Sequence, residues 1–98
     1  MNKEQIKKIV TEVIQNSPNQ SNIKSIALFG SFLHGDQTID SDVDLLVDLK
    51  ESTGFFKLME IQNMIEDGIG RPVQLLTKNS ISRYFRTEVL REAEKIYE

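Results

Sequence analysis

Two aspartates and a glycine-serine pair are the residues whose types and spacing could do chemistry. Asp42 and Asp44 are separated by one valine, and Gly30 and Ser31 lie upstream of them. On a strand, residues separated by one position point to the same side, so the two carboxylates would share a face. Mg²⁺ prefers such oxygen ligands, and a glycine turn lets backbone amides approach a phosphate closely. The combination predicts a site for a metal ion and a nucleotide.

The residues around these two pairs make the prediction more specific. An Asp-x-Asp sequence or a Gly-Ser turn alone is common on protein surfaces. Here the turn directly follows an apolar stretch, a second turn follows at Gly35-Asp36, and Ser41 precedes the aspartates. The Ser31 hydroxyl and amide could donate to a phosphate oxygen, and Ser41 could orient an aspartate or shape the turn. We therefore expect Gly30, Ser31 and Ser41 to belong to the nucleotide site.

The pattern of apolar residues predicts an α+β fold that would position this site. In the second strand, Val43 and Leu45 alternate with Asp42 and Asp44, so the apolar set is expected to pack under helices and the aspartates to open onto an uncovered face. Phe55 and Phe56 are expected at the core and its edge. The predicted elements are a helix over 3–15, strands over 23–29 and 43–49, a helix from 55 to about 67 ended by Gly68, a strand over 73–77 and a closing helix within 81–97.

Length and composition limit the classes of protein that remain. The 98 residues predict one domain spanning 1–98, with a modest core whose stability could depend on a partner or a second copy. A net charge of −3 argues against direct binding to nucleic acid. The chain has no cysteine, hence no thiolate metal site, and no long apolar run or signal sequence. A cytoplasmic protein without a membrane span is expected.

The stretch GSFLHGDQTIDSDVDLLV resembles the signature of the polymerase-β-like nucleotidyltransferase superfamily. The short chain is similar to the minimal members of that superfamily, the MNT-type antitoxins that are paired with HEPN-domain toxins. This resemblance implies a two-layer fold with a small mixed sheet and helices mainly on one face. It also implies transfer of AMP from ATP, dependent on Mg²⁺ and with two ions expected, to a tyrosine of a HEPN-type RNase, which is thereby neutralised.

The resemblance also assigns roles to individual positions. Gly30 and Ser31 would hold the triphosphate, and Asp42 and Asp44 would bind the metal ions and carry catalysis. His34 stands where relatives commonly have a basic residue, so phosphate contact and a solvent-exposed loop histidine are both open readings. Phe32 stands where relatives often have arginine.

The clearest departure from the family pattern is Gln74 on the third strand. Many relatives carry a third aspartate there, which binds metal and accepts the proton of the attacking hydroxyl. An amide oxygen can coordinate a cation but does not accept a proton at neutral pH. Gln74 therefore leaves open a second reading, a non-catalytic or weakly catalytic binding module that neutralises its toxin by forming a complex. A third reading is a nucleotidyltransferase that acts on a small molecule.

Overall fold

A computed structural model describes residues 1–35, 41–51 and 53–98, except for the side chain of Ser31. The described residues form four helices and one four-stranded sheet. In chain order the elements are α1 (Lys3–Gln15), β1 (Ile23–Phe29), α2 (Ser31–His34), β2 (Val43–Leu49), α3 (Phe55–Ile69), β3 (Val73–Thr77), α4 (Arg83–Glu92) and β4 (Glu94–Tyr97).

The sheet has the strand order β3-β2-β1-β4, which places the strand with the two aspartates at its centre. β1 runs antiparallel to both β2 and β4, whereas β2 and β3 are parallel. At the β3 edge, side chains of α3 accept from outward backbone amides: Glu66 Oε2 lies 3.1 Å from Val73 N, and Gln62 Oε1 lies 3.1 Å from Leu75 N. These bonds satisfy donors that an edge strand would otherwise expose.

The predicted alternation of β2 is confirmed. Val43, Leu45 and Val47 are buried in the main core with α1 and α3, together with Phe32 of α2. Leu46 points to the other face, where it packs with Ala27 and Ile81. The predicted α+β fold, with helices mainly on one face of a mixed sheet, is therefore confirmed. Among the described residues, no helix combines the length and apolar character needed to cross a membrane.

The predicted end of α3 is wrong by two residues. The helix continues through Gly68 and stops at Gly70, which has a φ of +78° and whose amide donates to Glu66 O. Gly68 serves close packing instead, because a Cβ there would lie 2.6 Å from a methyl carbon of Val13 on α1. Phe55 and Phe56 at the start of α3 are 69% and 87% exposed, so their expected place in the core is also wrong.

The single closing helix predicted within 81–97 is wrong as well. α4 ends at Glu92, and the chain then forms β4, which pairs with β1. The side chain of Ile96, which belongs to this strand, is buried. Val89 and Ala93 pack on the second face of the sheet, so α4 partly covers the face that was expected to be open.

Candidate active site

The Gly-Ser turn and the Asp-x-Asp strand meet at Gly30 and Asp44. Phe29, the last residue of β1, pairs with Asp44 on β2, so Gly30 leaves the sheet beside the Asp44 side chain. Gly30 has a φ of +78°, and a Cβ at this position would overlap Asp44 Oδ2 and lie 3.1 Å from Asp44 Cγ. Only glycine combines this backbone conformation with so close an approach. The two halves of the signature are thus in contact.

A short helical turn follows Gly30 directly. The amides of Leu33 and His34 donate to Gly30 O over 3.2 and 3.3 Å, which closes α2. Phe32 is 3% exposed and anchors the turn in the main core. Its apolar side chain therefore has a packing role. Ser31 is the first residue of this turn, while its side chain lies outside the described part of the structure.

The carboxylates of Asp42 and Asp44 are close enough for the charge of one to affect the other. Asp42 is exposed just before β2, and Asp44 is half-buried within it. Burial, and secondarily the negative charge of Asp42, raise the pKa of Asp44 above its usual value. An added cation would relieve both effects, so this donor pair fits a divalent metal ion. In the described ranges no group of three His, Cys, Asp or Glu side chains could hold a metal. A divalent ion bound to two carboxylates can complete its coordination with phosphate oxygens and water.

Ser41 is connected to the loop that precedes β3. Arg71 Nη1 donates to Ser41 O over 3.4 Å, and its guanidinium carbon lies 5.4 Å from the centroid of the Phe32 ring. Two residues after Ser41, Val43 N donates to the carbonyl oxygen of Pro72, the residue after Arg71, over 3.0 Å. The backbone that leads into the aspartates is therefore fixed by the residues after α3.

His34 lies at the end of α2, exposed to solvent, and faces the end of α4. Its Nε2 is 3.3 Å from Glu92 Oε2. Since both side chains are about half exposed, the contact contributes little to stability. The histidine is linked to the Gly-Ser turn by its own backbone, because its amide donates to Gly30 O.

Gln74 lies on β3 at the position that the sequence pattern predicts. It pairs with Asp44 across the parallel strands β2 and β3, so the two side chains project from the same face of the sheet. Gln74 is exposed, and its amide is available to solvent or a ligand. In the described part of the chain, the site therefore offers two carboxylates and an amide on adjacent strands.

The sequence leaves open whether Arg71 reaches a phosphate or only lies at the surface, and it does not place Glu92 near the site. Arg71 follows two closely spaced glycines, Gly68 and Gly70, of which only Gly70 ends the helix, and this composition was the only local signal. Glu92 lies among alternating charges of α4 and carries no local signal. Both reach the site through tertiary contacts.

The mixed sheet, with a Gly-Ser turn packed against an Asp-x-Asp strand, defines the class as an enzyme that transfers nucleotides. Residues 4–98 match the family described as polymerase beta, nucleotidyltransferase. The chain belongs to this family.

Homologues of similar length support the family assignment. A protein of Methanocaldococcus jannaschii is 39% identical over 77 residues, which is 79% of each chain. Protein adenylyltransferase MntA of Thermococcus cleftensis is 34% identical over 89 residues, covering 91% of this chain and 90% of its own length.

Solved structures share the fold. A toxin-antitoxin complex with AMP-PNP contains a chain that matches with a TM-score of 0.75 at 21% identity, covering 92% of this chain and 71% of that one. A complex of the tri-AMPylated Shewanella oneidensis HEPN toxin with MNT antitoxin matches with a TM-score of 0.68 at 17% identity, covering 95% and 70%. At such identities the likeness concerns the fold.

Proposed function

We propose that residues 1–98 act in the cytoplasm as an antitoxin that transfers AMP from ATP to a tyrosine of a partner HEPN-type toxin and so neutralises it. The observation that carries this proposal is the contact between the Gly30 backbone and the Asp44 carboxylate, which joins the two halves of the signature. The homologue named protein adenylyltransferase MntA supports the reaction. The fold shared with an MNT antitoxin bound to an AMPylated HEPN toxin supports the partner.

Two Mg²⁺ ions are proposed to bind Asp42 and Asp44. Bound divalent metal would neutralise charge on the triphosphate and on the leaving pyrophosphate. The raised pKa of Asp44 supports this assignment, because a cation would offset the partial burial of this carboxylate and the negative charge of the nearby Asp42. Gly30 and Ser31 are proposed to hold the phosphates, with Ser41 shaping the approach to Asp42. His34 is near enough to the same turn to join them.

In the proposed transfer, the α-phosphorus of ATP forms one new bond to oxygen and loses another. The tyrosine oxygen of the partner attacks the α-phosphorus of ATP, and the bond from that phosphorus to the bridging oxygen of pyrophosphate breaks. The phenolic proton must be taken up elsewhere. Because Gln74 cannot accept it, the proton would go to water or to a group of the partner.

The reaction can be tested with ATP labelled at two different phosphates. The protein would be incubated with Mg²⁺ and a HEPN protein encoded beside it, and label on the HEPN protein would be measured. We expect α-labelled ATP to label the toxin and γ-labelled ATP to leave it unlabelled. No transfer of α-label by folded protein would refute the proposal, and transfer of γ-label would indicate a kinase.

Gln74 favours a second candidate, a module that neutralises the toxin by binding alone. The replacement Gln74→Asp distinguishes the two. It would place a carboxylate beside Asp44 in register, where it could accept the phenolic proton, and we expect single-turnover transfer at pH 7 to rise about tenfold or more.

Gln74→Asn is the matched control, because it shortens the side chain as aspartate does but adds no proton acceptor. It should leave transfer at or below the wild-type rate. Equal rates for the Asp and Asn variants would show that proton acceptance at this position is not what limits the enzyme. Absence of label with every variant, together with intact neutralisation of the toxin, would support the binding module.

A further inference from the structure

Arg71 bridges the two halves of the site with a single side chain. Its guanidinium stacks over Phe32, the residue after Ser31, and its Nη1 donates to the carbonyl of Ser41, the residue before Asp42. The two contacts connect the turn that begins at Gly30 with the residues that lead into β2. A planar cation that can stack and donate at the same time suits this position, whereas an ammonium group does not.

The backbone around Arg71 is held from both sides. Before it, Gly70 ends α3 in a left-handed conformation, with its amide 2.8 Å from Glu66 O. After it, Pro72 O accepts from Val43 N over 3.0 Å. Phe32 is itself 3% exposed in the main core. Arg71 therefore connects parts of the molecule that are individually fixed, and it is partly buried between them.

We infer that Arg71 is a positioning residue, which holds the segment at Ser41 and Asp42 against Phe32 of the turn. The pairing of Phe29 with Asp44 already fixes the distance from Gly30 to Asp44. Its effect on nucleotide transfer rests on the proposed function. Phe32 and Ser41, which the guanidinium contacts, lie next to the proposed nucleotide and metal ligands Ser31 and Asp42. When Arg71 is removed, β1 and β2 keep their pairing, but the Ser41 carbonyl loses this hydrogen bond and the Phe32 ring loses its cation contact.

The variant Arg71→Met tests this inference, because methionine keeps an unbranched apolar stem without the guanidinium. We expect affinity for a fluorescent ATP analogue with Mg²⁺, or kcat of transfer, to fall by about ten- to a hundredfold, the usual effect of removing a supporting contact. Arg71→Lys keeps the charge but cannot make both contacts, so it should behave more like the Met variant than like wild type. Wild-type values for both variants would overturn the inference.

Arg83→Met is the matched control. Arg83 also stacks on an aromatic ring, with its guanidinium carbon 5.8 Å from the Tyr84 ring centroid, but it lies at the opposite end of α4 from the Glu92-His34 contact. Its replacement should leave nucleotide affinity and transfer unchanged. An equal loss in both variants would show a general effect of removing surface charge, and would also overturn the inference.

Backbone amide exchange provides a readout that does not depend on activity. Arg71→Met should accelerate exchange at His34 and Val43, which lie at the two ends of the bridged stretch, with little change at Ile26 in the core. If exchange is accelerated in Arg71→Met but the wild-type protein itself binds no nucleotide, the positioning role is retained and the proposed function is refuted. Normal exchange with normal nucleotide binding would refute the positioning role alone.

Discussion

The double replacement Asp42→Asn and Asp44→Asn should abolish transfer of AMP while leaving the protein folded. Asparagine keeps the shape of aspartate but removes the negative charge that would bind the metal ions. We expect the transfer rate to fall by at least about 10²-fold, as when a group that stabilises charge in a transition state is removed. The measurement is label transfer from α-labelled ATP, accompanied by titration of Mn²⁺ as a metal probe.

The same replacement should make the metal-free protein more stable. The pKa of Asp44 is raised in the folded state, so folding favours the protonated form, and the stabilising contribution of that form is lost as the pH rises through the folded pKa. At neutral pH the ionised Asp44 carboxylate therefore lowers the free energy of unfolding, and replacement by asparagine removes this destabilisation. In EDTA at pH 7 the variant should have a higher Tm than wild type, and the difference should shrink toward acidic pH.

Asp48→Asn is the matched control for both measurements. Asp48 lies on the same strand and the same face as Asp44, but it is exposed near the far end of β2, where it is 3.9 Å from the Lys24 ammonium. We expect it to change neither transfer nor Mn²⁺ affinity. Loss of activity in the control, or full activity in the double variant, would contradict the assignment of Asp42 and Asp44.

The second large effect is expected from Gly30→Ala. Alanine would suffer the strain of a positive φ, roughly 1–2 kcal/mol, and its methyl group would overlap the Asp44 carboxylate. Overpacking of this kind costs about 1–3 kcal/mol further. The free energy of unfolding should fall by the sum of the two, and transfer should be lost because either the turn or Asp44 must move.

Gly70→Ala separates the two contributions. Gly70 has the same φ of +78°, but nothing lies within 4 Å of a Cβ placed there. It should therefore show the cost of the backbone conformation alone, when unfolding by urea is compared. If Gly30→Ala were no more destabilising than Gly70→Ala and kept its transfer activity, the close approach of Gly30 to Asp44 would not matter for the site.

The central strands could be predicted from sequence because their signal is local. In β2 the alternation of Val43 and Leu45 with Asp42 and Asp44 fixes the face of every side chain, and the bounds of β1, β2 and β3 agree with the prediction. The end of the chain could not be predicted in this way. Val89 and Ala93 continue a helical spacing toward Ile96, and only pairing with the distant β1 makes the last of these a strand residue.

The same distinction between local signals and distant contacts applies to the residues of the candidate site. Gly30, Asp42 and Asp44 are close in sequence and belong to one motif, so their meeting could be anticipated. The overlap that makes Gly30 irreplaceable depends on the register of β1 against β2, and the Arg71 bridge depends on where α3 ends. A glycine after an apolar helical stretch is typical of a helix end, so the sequence predicts that α3 ends before Gly68. In the structure, Gly68 instead allows α1 and α3 to pack closely.

The pairing of β4 with β1 also has a consequence for the order in which the molecule is assembled. Ile26 pairs with Tyr97, so two stretches from opposite ends of the sequence must meet before the sheet is complete. Contacts between residues so far apart slow folding, because the intervening chain must be ordered first. During synthesis on the ribosome, β1 therefore remains an open edge until residue 97 has emerged, and that edge is the place where a nascent chain would be most prone to aggregate or to require a chaperone.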